Sequence, residues 1–227
     1  MGDMTSTARD EVPDALAVRP PRQERSRQAW ARVLDAGVAI LEEGGYEAFT
    51  IAAVCERAQV PPRALYDRTS SKDALFLAVY EHGLDRIRVD EEVFTQEEFW
   101  AGLEARRLIE TAVAQIAASF ARHAAFLRSV VLLSGGHPEV YRRGSANSSH
   151  LSDLFAGVVL RARDQITHPD PGQAVRLCFS TIFAACVLRV AYGPGFAGVH
   201  IDEETFVEHL TDTAARYLLG PEHSPGG

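Results

Sequence analysis

Thr50-Ile51-Ala52-Ala53-Val54-Cys55-Glu56-Arg57-Ala58-Gln59-Val60-Pro61-Pro62-Arg63-Ala64-Leu65-Tyr66, followed by Ser71-Lys72, is the stretch whose reading decides this chain. The Thr50 hydroxyl can accept from a free N–H of an opening helical turn. Ile51, Val54, Cys55 and Ala58 then recur at i, i+3, i+4 and i+7, so the helix has one short apolar face. Pro61 and Pro62 cannot continue it, but a proline at the first helical position lacks only an N–H that would be orphaned anyway. A second helix therefore starts at Pro62, with Arg63 at its exposed tip. Leu65 is its inward anchor, while Arg63, Tyr66 and Arg68 carry donors long enough to reach base edges or phosphates. Ser71 caps a third helix with Lys72 in its first turn, where a cation opposes the helix dipole by about 0.3–1 kcal/mol unless an anion such as phosphate lies in front of it. Two short helices, a tight turn and a third helix start form the spacing that offers one helix end to the DNA major groove. A plain bundle segment has no need of this order of cap, turn and proline.

At these residues the chain resembles the TetR family of one-component transcriptional regulators. The family pattern runs Thr-hydrophobic-x-x-Ile-Ala, then Ala-Gly-Val-Ser-x-Gly-x-Leu-Tyr-x-His/Tyr-Phe, then Ser-Lys-Glu-x-Leu. The matches are Thr50, Ile51, Ala58, Val60, Leu65, Tyr66, Ser71, Lys72 and Leu75, with near matches at Val54, Cys55 and Asp73. Upstream, Leu34-Asp35-Ala36-Gly37 and Gly44-Gly45-Tyr46 resemble the family's first helix and the glycine turn after it, so the resemblance covers roughly residues 25–82. Three departures stand out: Gln59 in place of the turn glycine, Pro61 in place of a serine cap, and Arg68-Thr69 where the family has an aromatic or histidine followed by phenylalanine. A buried phenylalanine is worth about 1.5–3 kcal/mol of burial, so the packing under the second helix should be thinner here.

Composition narrows the function classes. The 227 residues, 46% of them apolar and 8% aromatic, fit a soluble globular protein with one or two domains and a sizeable core. The formal charge of −8 argues against a nonspecific nucleic-acid coat, but a regulator needs only a local basic face. Arg22, Arg25 and Arg27, with Arg57, Arg63, Arg68 and Lys72, can supply it. Lys72 is the sole lysine among 23 basic residues, and it falls where the resemblance places a phosphate-contacting lysine. No apolar run approaches the roughly 18 residues of a membrane span, and the first residues lack a secretory pattern, so a cytoplasmic protein is expected. Cys55, Cys178 and Cys186 lie inside helical patterns and read as buried free thiols.

The pattern divides the chain into a flexible arm at 1–22, a helix-turn-helix domain at 23–82, a helical effector-binding and dimerisation domain at 83–220, and a tail at 221–227. Trp30, Val33, Leu34, Gly37, Ile40 and Leu41 mark a first amphipathic helix closed by Gly44-Gly45, and a helix from Lys72 to about Arg88 leads out of the domain. Beyond residue 90 the apolar stripes are helical throughout, which makes the fold class all-α. The resemblance implies an effector cavity enclosed by these helices, and Ile116, Phe120, Leu127, Val131, Leu151, Phe155 and Phe183 are the side chains expected to line it. Their apolar character predicts a small hydrophobic or amphipathic effector. Asp170-Pro171 opens a helix that is apolar on almost every face from Val175 to Leu188 and must be covered on both sides. The last amphipathic helix, about Asp202 to Leu219, offers the complementary surface. A homodimer through these two helices follows, with Val175, Ile182, Ala185, Phe206, Leu210 and Tyr217 as its expected interface residues.

Other motifs fail their structural context. Gly193-Pro194-Gly195-Phe196-Ala197-Gly198 fits a dinucleotide expression but follows a helix rather than a strand, and Ser134-Gly135-Gly136-His137 reads as a helix break, not a nucleophile elbow. The eight histidines show no paired ligand spacing, so neither metal nor cofactor nor catalytic constellation is expected. The expected function is a DNA-binding regulator with Arg25, Arg27, Thr50, Pro62, Arg63, Tyr66, Arg68 and Lys72 at double-stranded operator DNA, released by its effector, with no membrane partner. The alternative is a ligand-binding helical dimer whose helix-turn-helix has decayed at Gln59, Pro61 and Thr69.

Overall fold

The structure, a computed structural model, describes residues 24–69, 71–196 and 198–221, without the Arg25 side chain; the arm assigned to 1–22 and the tail beyond Pro221 lie outside the described residues. All regular structure among the described residues is helical, and the chain divides into two compact units between His82 and Gly83.

The first unit holds α1 (Glu24–Ala48), α2 (Ile51–Ala58), α3 (Pro62–Tyr66) and the opening turns of α4 (Lys72–Glu91). Val33, Ala36, Ile40 and Leu41 on α1 are buried, as their helical spacing requires. Helical bonding in α1 passes a break at Gly45, whose φ of 66° and ψ of −165° suit a residue without Cβ, before ending at Ala48. The break turns Tyr46 and Phe49 onto Phe76 of α4, with ring centroids 4.9 and 5.8 Å apart in edge-on geometry. Gly37 lets α1 and α4 approach closely, since a methyl group there would meet the Val79 side chain.

The second unit begins with the rest of α4 and a 3-10 turn (Glu92–Thr95). There follow α5 (Glu97–Trp100), α6 (Ala105–Arg122), α7 (Ala124–Ser134), α8 (Pro138–Val159), a second 3-10 turn (Leu160–Gln165), α9 (Pro171–Tyr192) and α10 (Glu203–Leu219). Leu108, Ile109, Ala112, Val113, Ile116 and Ala117 bury one long face of α6 against α8, α9 and α10. At His123 the chain bends by 86° into α7. Trp100 is fully buried against Phe94 and donates from Nε1 to the Val93 carbonyl at 2.7 Å, so its one polar atom is satisfied.

The C-terminal turns of α4 are fixed by close approach and by polar contacts. Gly83 packs against the Phe126 ring so tightly that any Cβ would collide with it. Asp90 accepts from His123 at 3.1 Å and pairs with Arg122, while Asn147 of α8 donates to Glu91 at 3.3 Å and accepts from Arg88 at 3.2 Å.

One expectation is overturned. The helix Pro171–Tyr192 is long and apolar enough to cross a membrane by length and composition, contrary to the reading that no run approaches a span. Its inner face, Ala174, Val175, Cys178, Phe179, Ile182 and Cys186, is instead buried in the core of the second unit. The outer face adds Leu177, Ala184 and Leu188, which raises the mean hydropathy of the helix although Ser180 and Thr181 lie among them.

Glu91 is 4% exposed, and its Oε2 has no hydrogen-bond partner among the described residues. Burial pushes its carboxyl above the ordinary 4.5, opposed by the Asn147 hydrogen bond and by the nearby His150 and Arg88, and aided by Asp90. The folded state therefore holds this proton more tightly than the unfolded chain does, and stability falls as pH rises from the ordinary carboxylate range through the raised value. Glu91→Gln keeps the acceptor for Asn147 and carries no charge to bury. It should be more stable than the wild type at pH 7, by on the order of 1 kcal/mol, with the difference shrinking toward pH 4.5 in urea denaturation.

Candidate nucleic-acid interface

In the first unit local chemistry sets the turn between α2 and α3. Thr50 accepts from the Ala53 N–H at 3.1 Å and caps α2. Gln59 ends α2 in the left-handed conformation, φ 54° and ψ 48°, with its N–H returned to the Cys55 and Glu56 carbonyls. Pro61 is the N-cap of α3 without a side-chain cap, and Pro62 occupies its first turn. Leu65 is 1% exposed, so it anchors α3 from below, while Pro62, Arg63 and Tyr66 face outward, Tyr66 at 61% exposure.

Arg68 goes elsewhere. It hydrogen-bonds to Ser26 of α1 and sits over the Trp30 ring at 5.9 Å, so its guanidinium ties the end of the α3 segment to α1. Arg27 pairs with Glu24 at 2.6 Å near the start of α1, and the Arg25 side chain lies outside the described residues. Arg57 forms a two-pronged pair with Glu43, both contacts 2.6 Å, which removes it from the basic face. Lys72 opens α4 behind Ser71, whose hydroxyl accepts from the Ala74 N–H at 3.1 Å. Its ammonium lies 4.0 Å from the Tyr46 ring centroid and 3.5 Å from the Tyr46 carbonyl. The aromatic face and the Asp73 carboxylate beside it offset the dipole cost that an isolated cation would carry there.

The second unit contains a cavity of about 370 Å³ where the end of α6, the start of α7, the end of α9 and the start of α10 meet. Its walls are mainly Ala117, Phe120, Ala121, Ala124, Val190 and Phe206, with Arg128, Arg189 and Glu203 as its charged members. Among the residues expected to line a ligand site, Phe120 does so here. Phe183 stands edge-on to Phe120 at 5.3 Å without lining the cavity. Ile116, Leu151 and Phe155 are buried core side chains, and Leu127 and Val131 are half-buried on α7; none of the five borders this cavity. Arg128, Arg189 and Cys186 were missed because a charge or thiol within an apolar helix carries no periodic signal. Cys186 is no nucleophile at neutral pH, since burial first, with Glu203 adding, pushes its thiol up to about 12.

The residues expected at a dimer surface divide between the two sides of their helices. Val175 and Ile182 are 0% and 3% exposed and Leu210 is 7% exposed, so these three pack within their own unit and cannot meet a partner. Ala185 and Phe206 are half-buried, and Tyr217 is exposed. The outward side of α9 is instead Leu177, Ser180, Thr181, Ala184, Leu188 and Tyr192.

Residues 33–79 match the family model described as bacterial regulatory proteins, tetR family. The N-terminal unit is a TetR-family helix-turn-helix domain. Among curated relatives, the HTH-type transcriptional repressor KstR of Mycobacterium tuberculosis is 37% identical over 89 residues, 37% of this chain and 40% of that protein. The A-factor receptor protein of Streptomyces griseus is 30% identical over 71 residues, 31% of this chain and 26% of that protein. The chain thus spans between about a quarter and two fifths of the curated relatives' length. A TetR-family transcriptional regulator from Mesorhizobium loti superimposes with a TM-score of 0.67 at 16% identity, covering 86% of this chain and 97% of that one. FadR from Bacillus subtilis, in a complex with stearoyl-CoA, gives 0.58 at 14% identity, covering 85% and 100%. At these identities the likeness establishes the TetR architecture, N-terminal helix-turn-helix and C-terminal helical bundle, for this all-α chain.

Two of the departures from the TetR pattern, Thr69 and Gln59, are accommodated locally. Thr69, at the phenylalanine position, is 2% exposed and donates its hydroxyl to the Ser71 carbonyl at 3.0 Å, so the smaller residue is buried without stranding a polar atom. Gln59 adopts the conformation that the TetR turn glycine would supply. A left-handed L-residue costs about 1–2 kcal/mol, more than the extra entropy of about 0.5–1 kcal/mol that glycine loses on folding. Gln59→Gly should therefore raise stability by about 0.5–1 kcal/mol in chemical denaturation; a loss of stability would show that the Gln59 side chain is needed at the turn.

Proposed function

We propose that this protein is a TetR-type transcriptional regulator that binds operator DNA as a homodimer and is released by a small apolar or amphipathic effector. The observation that carries the reading is the exposed end of α3. Arg63 and Tyr66 project from a helix held from below by Leu65, and Lys72 opens the next helix behind Ser71. On this reading Arg63 reads a base edge in the major groove, and Tyr66, Thr50, Pro62 and Lys72 set the register on phosphates, with Arg27 near the groove edge. Arg68 acts by positioning α3 against Ser26 and Trp30. The effector occupies the cavity beside Phe120 and Phe206, and α4, continuous from Lys72 to Glu91, is the covalent link between reading head and effector unit. A coupling of about 1–3 kcal/mol between the two sites suffices for release. KstR is named as a repressor, which favours repression here.

Gel shifts on DNA upstream of the protein's own gene test the reading. Lys72→Ala should weaken binding to all sequences alike and lower the salt slope by about 0.9 for one lost phosphate contact. Arg63→Ala should cost about 1–3 kcal/mol on the operator and little on random DNA. Absence of any specific shift by the wild type would favour the helical ligand-binding dimer with a decayed reading head.

For the dimer, the outward side of α9 is the proposed surface, together with the exposed Tyr217 of α10. Ala184→Glu places a charge among Leu177, Thr181 and Leu188 and should yield a folded monomer in sedimentation that no longer binds operator. Ile182→Glu buries its charge inside the protomer and should lose helical signal instead. A folded Ala184→Glu dimer would move the interface off this face.

A further inference from the structure

The cavity walls and charges specify more than its existence. Phe120, Ala117, Ala121, Val190 and Phe206 present hydrocarbon, and a volume of about 370 Å³ lies near the small end of ligand sites. Three charged residues border it. Arg189 is already satisfied: it donates to Glu203 and to the Ile201 carbonyl, both at 3.0 Å, and lies over the Phe206 ring at 4.5 Å. That pair contributes no net charge and holds the Phe206 ring in place as a wall. Arg128 has no hydrogen-bond or ion-pair partner among the described residues, and it follows Ala124 by one helical turn on the same face of α7. The cavity therefore combines apolar walls with one uncompensated positive charge.

We infer that this site takes an amphipathic anion, its carboxylate, sulfonate or phosphate group at Arg128 and its apolar body against Phe120, Val190 and Phe206. The inference rests on the reading of the cavity as the effector site and adds the sign of the ligand. A cation would meet Arg128 without compensation, whereas an anion gains a charge-assisted contact beside low-dielectric walls. The exposure of Arg128 keeps that gain at the lower end for such contacts, about tenfold in affinity. The volume admits a body of two or three rings or a medium-length chain and excludes a whole nucleotide-bearing thioester from the cavity.

Two fluorescent probes that share one aromatic body separate charge from hydrophobicity: 1-anilinonaphthalene-8-sulfonate, an anion, and N-phenyl-1-naphthylamine, neutral and more hydrophobic. Titrated into the full chain, the anion should bind about tenfold more tightly than its neutral twin. Arg128→Met keeps the apolar stem and should reverse the order, while Arg128→Lys should retain the preference for the anion. Ala121 is exposed on α6, so Ala121→Trp fills the cavity without entering the core and should weaken both probes. If Ala121→Trp weakens both but Arg128→Met still prefers the anion, the head-group assignment is wrong and the cavity reading stands. If Ala121→Trp leaves both unchanged, or the wild type binds neither, the cavity reading falls and the inference with it.

Discussion

Helix α4 starts in one compact unit and ends in the other, and in each it is held by close approach at a glycine. In the first unit Gly37 of α1 admits the Val79 side chain; in the second, Gly83 of α4 itself admits the Phe126 ring. Glycine inside a helix costs roughly 1 kcal/mol relative to alanine, so both positions give up local helix preference for contact with a neighbouring element. The polar contacts beyond Gly83 add direction to this packing. Asp90 meets His123 at the α6–α7 bend, and Asn147 of α8 joins Arg88 to Glu91. Any rearrangement of α6, α7 or α8 must act on the last turns of α4, because those three helices supply the partners that hold it.

The parts of this molecule that local chemistry dictates were legible in the sequence. Thr50 and Ser71 as caps, the helix start at Pro62 and Leu65 as an anchor depend on neighbours within a few residues, and the reading needs no tertiary information. The breaks at Gly45 and between Ser134 and Pro138 belong to the same class. By contrast, the inner and outer faces of α9 could not be told apart, since a helix apolar all round has no moment to point inward. Val175 and Ile182 read as suitable for a partner alongside Ala185, and only the packing of α6, α8 and α10 shows the first two to be buried. The cavity was illegible for a related reason. Ile116, Leu151 and Phe155 share its chemistry but fill the core, and the space opens at the α6–α7 bend, which periodicity does not register.

Arginine roles were the other blind spot, because composition gives reach and charge without direction. Four arginines near the reading head have different surroundings: Arg57 pairs with Glu43, Arg27 with Glu24, Arg68 meets Ser26 and Trp30, and Arg63 faces outward at the tip of α3. The exposed basic surface is therefore smaller than the sequence implied. Lys72, the sole lysine, differs in kind from all of them. A compact ammonium can rest on the Tyr46 ring face while keeping donors for an incoming oxygen, whereas a planar guanidinium would commit its fork to one partner.

This economy bears on how a reading head of this form can reach useful affinity. Helix α3 has five residues and could not persist alone, since an isolated helix of that length does not recover its nucleation cost. It depends on Leu65 beneath it, on the returned N–H groups of Gln59, Arg68 and Thr69, and on the tie from Arg68 to α1. Each device spends a side chain or a strained backbone on rigidity. With Arg68 and Arg57 so used, one protomer retains few groups able to neutralise phosphates, and affinity that scales with their number stays low for a single head. Two heads on one operator double that number with no additional ordering of either turn. On the proposed reading, the surface that pairs two protomers limits DNA affinity as directly as Arg63 and Lys72 do.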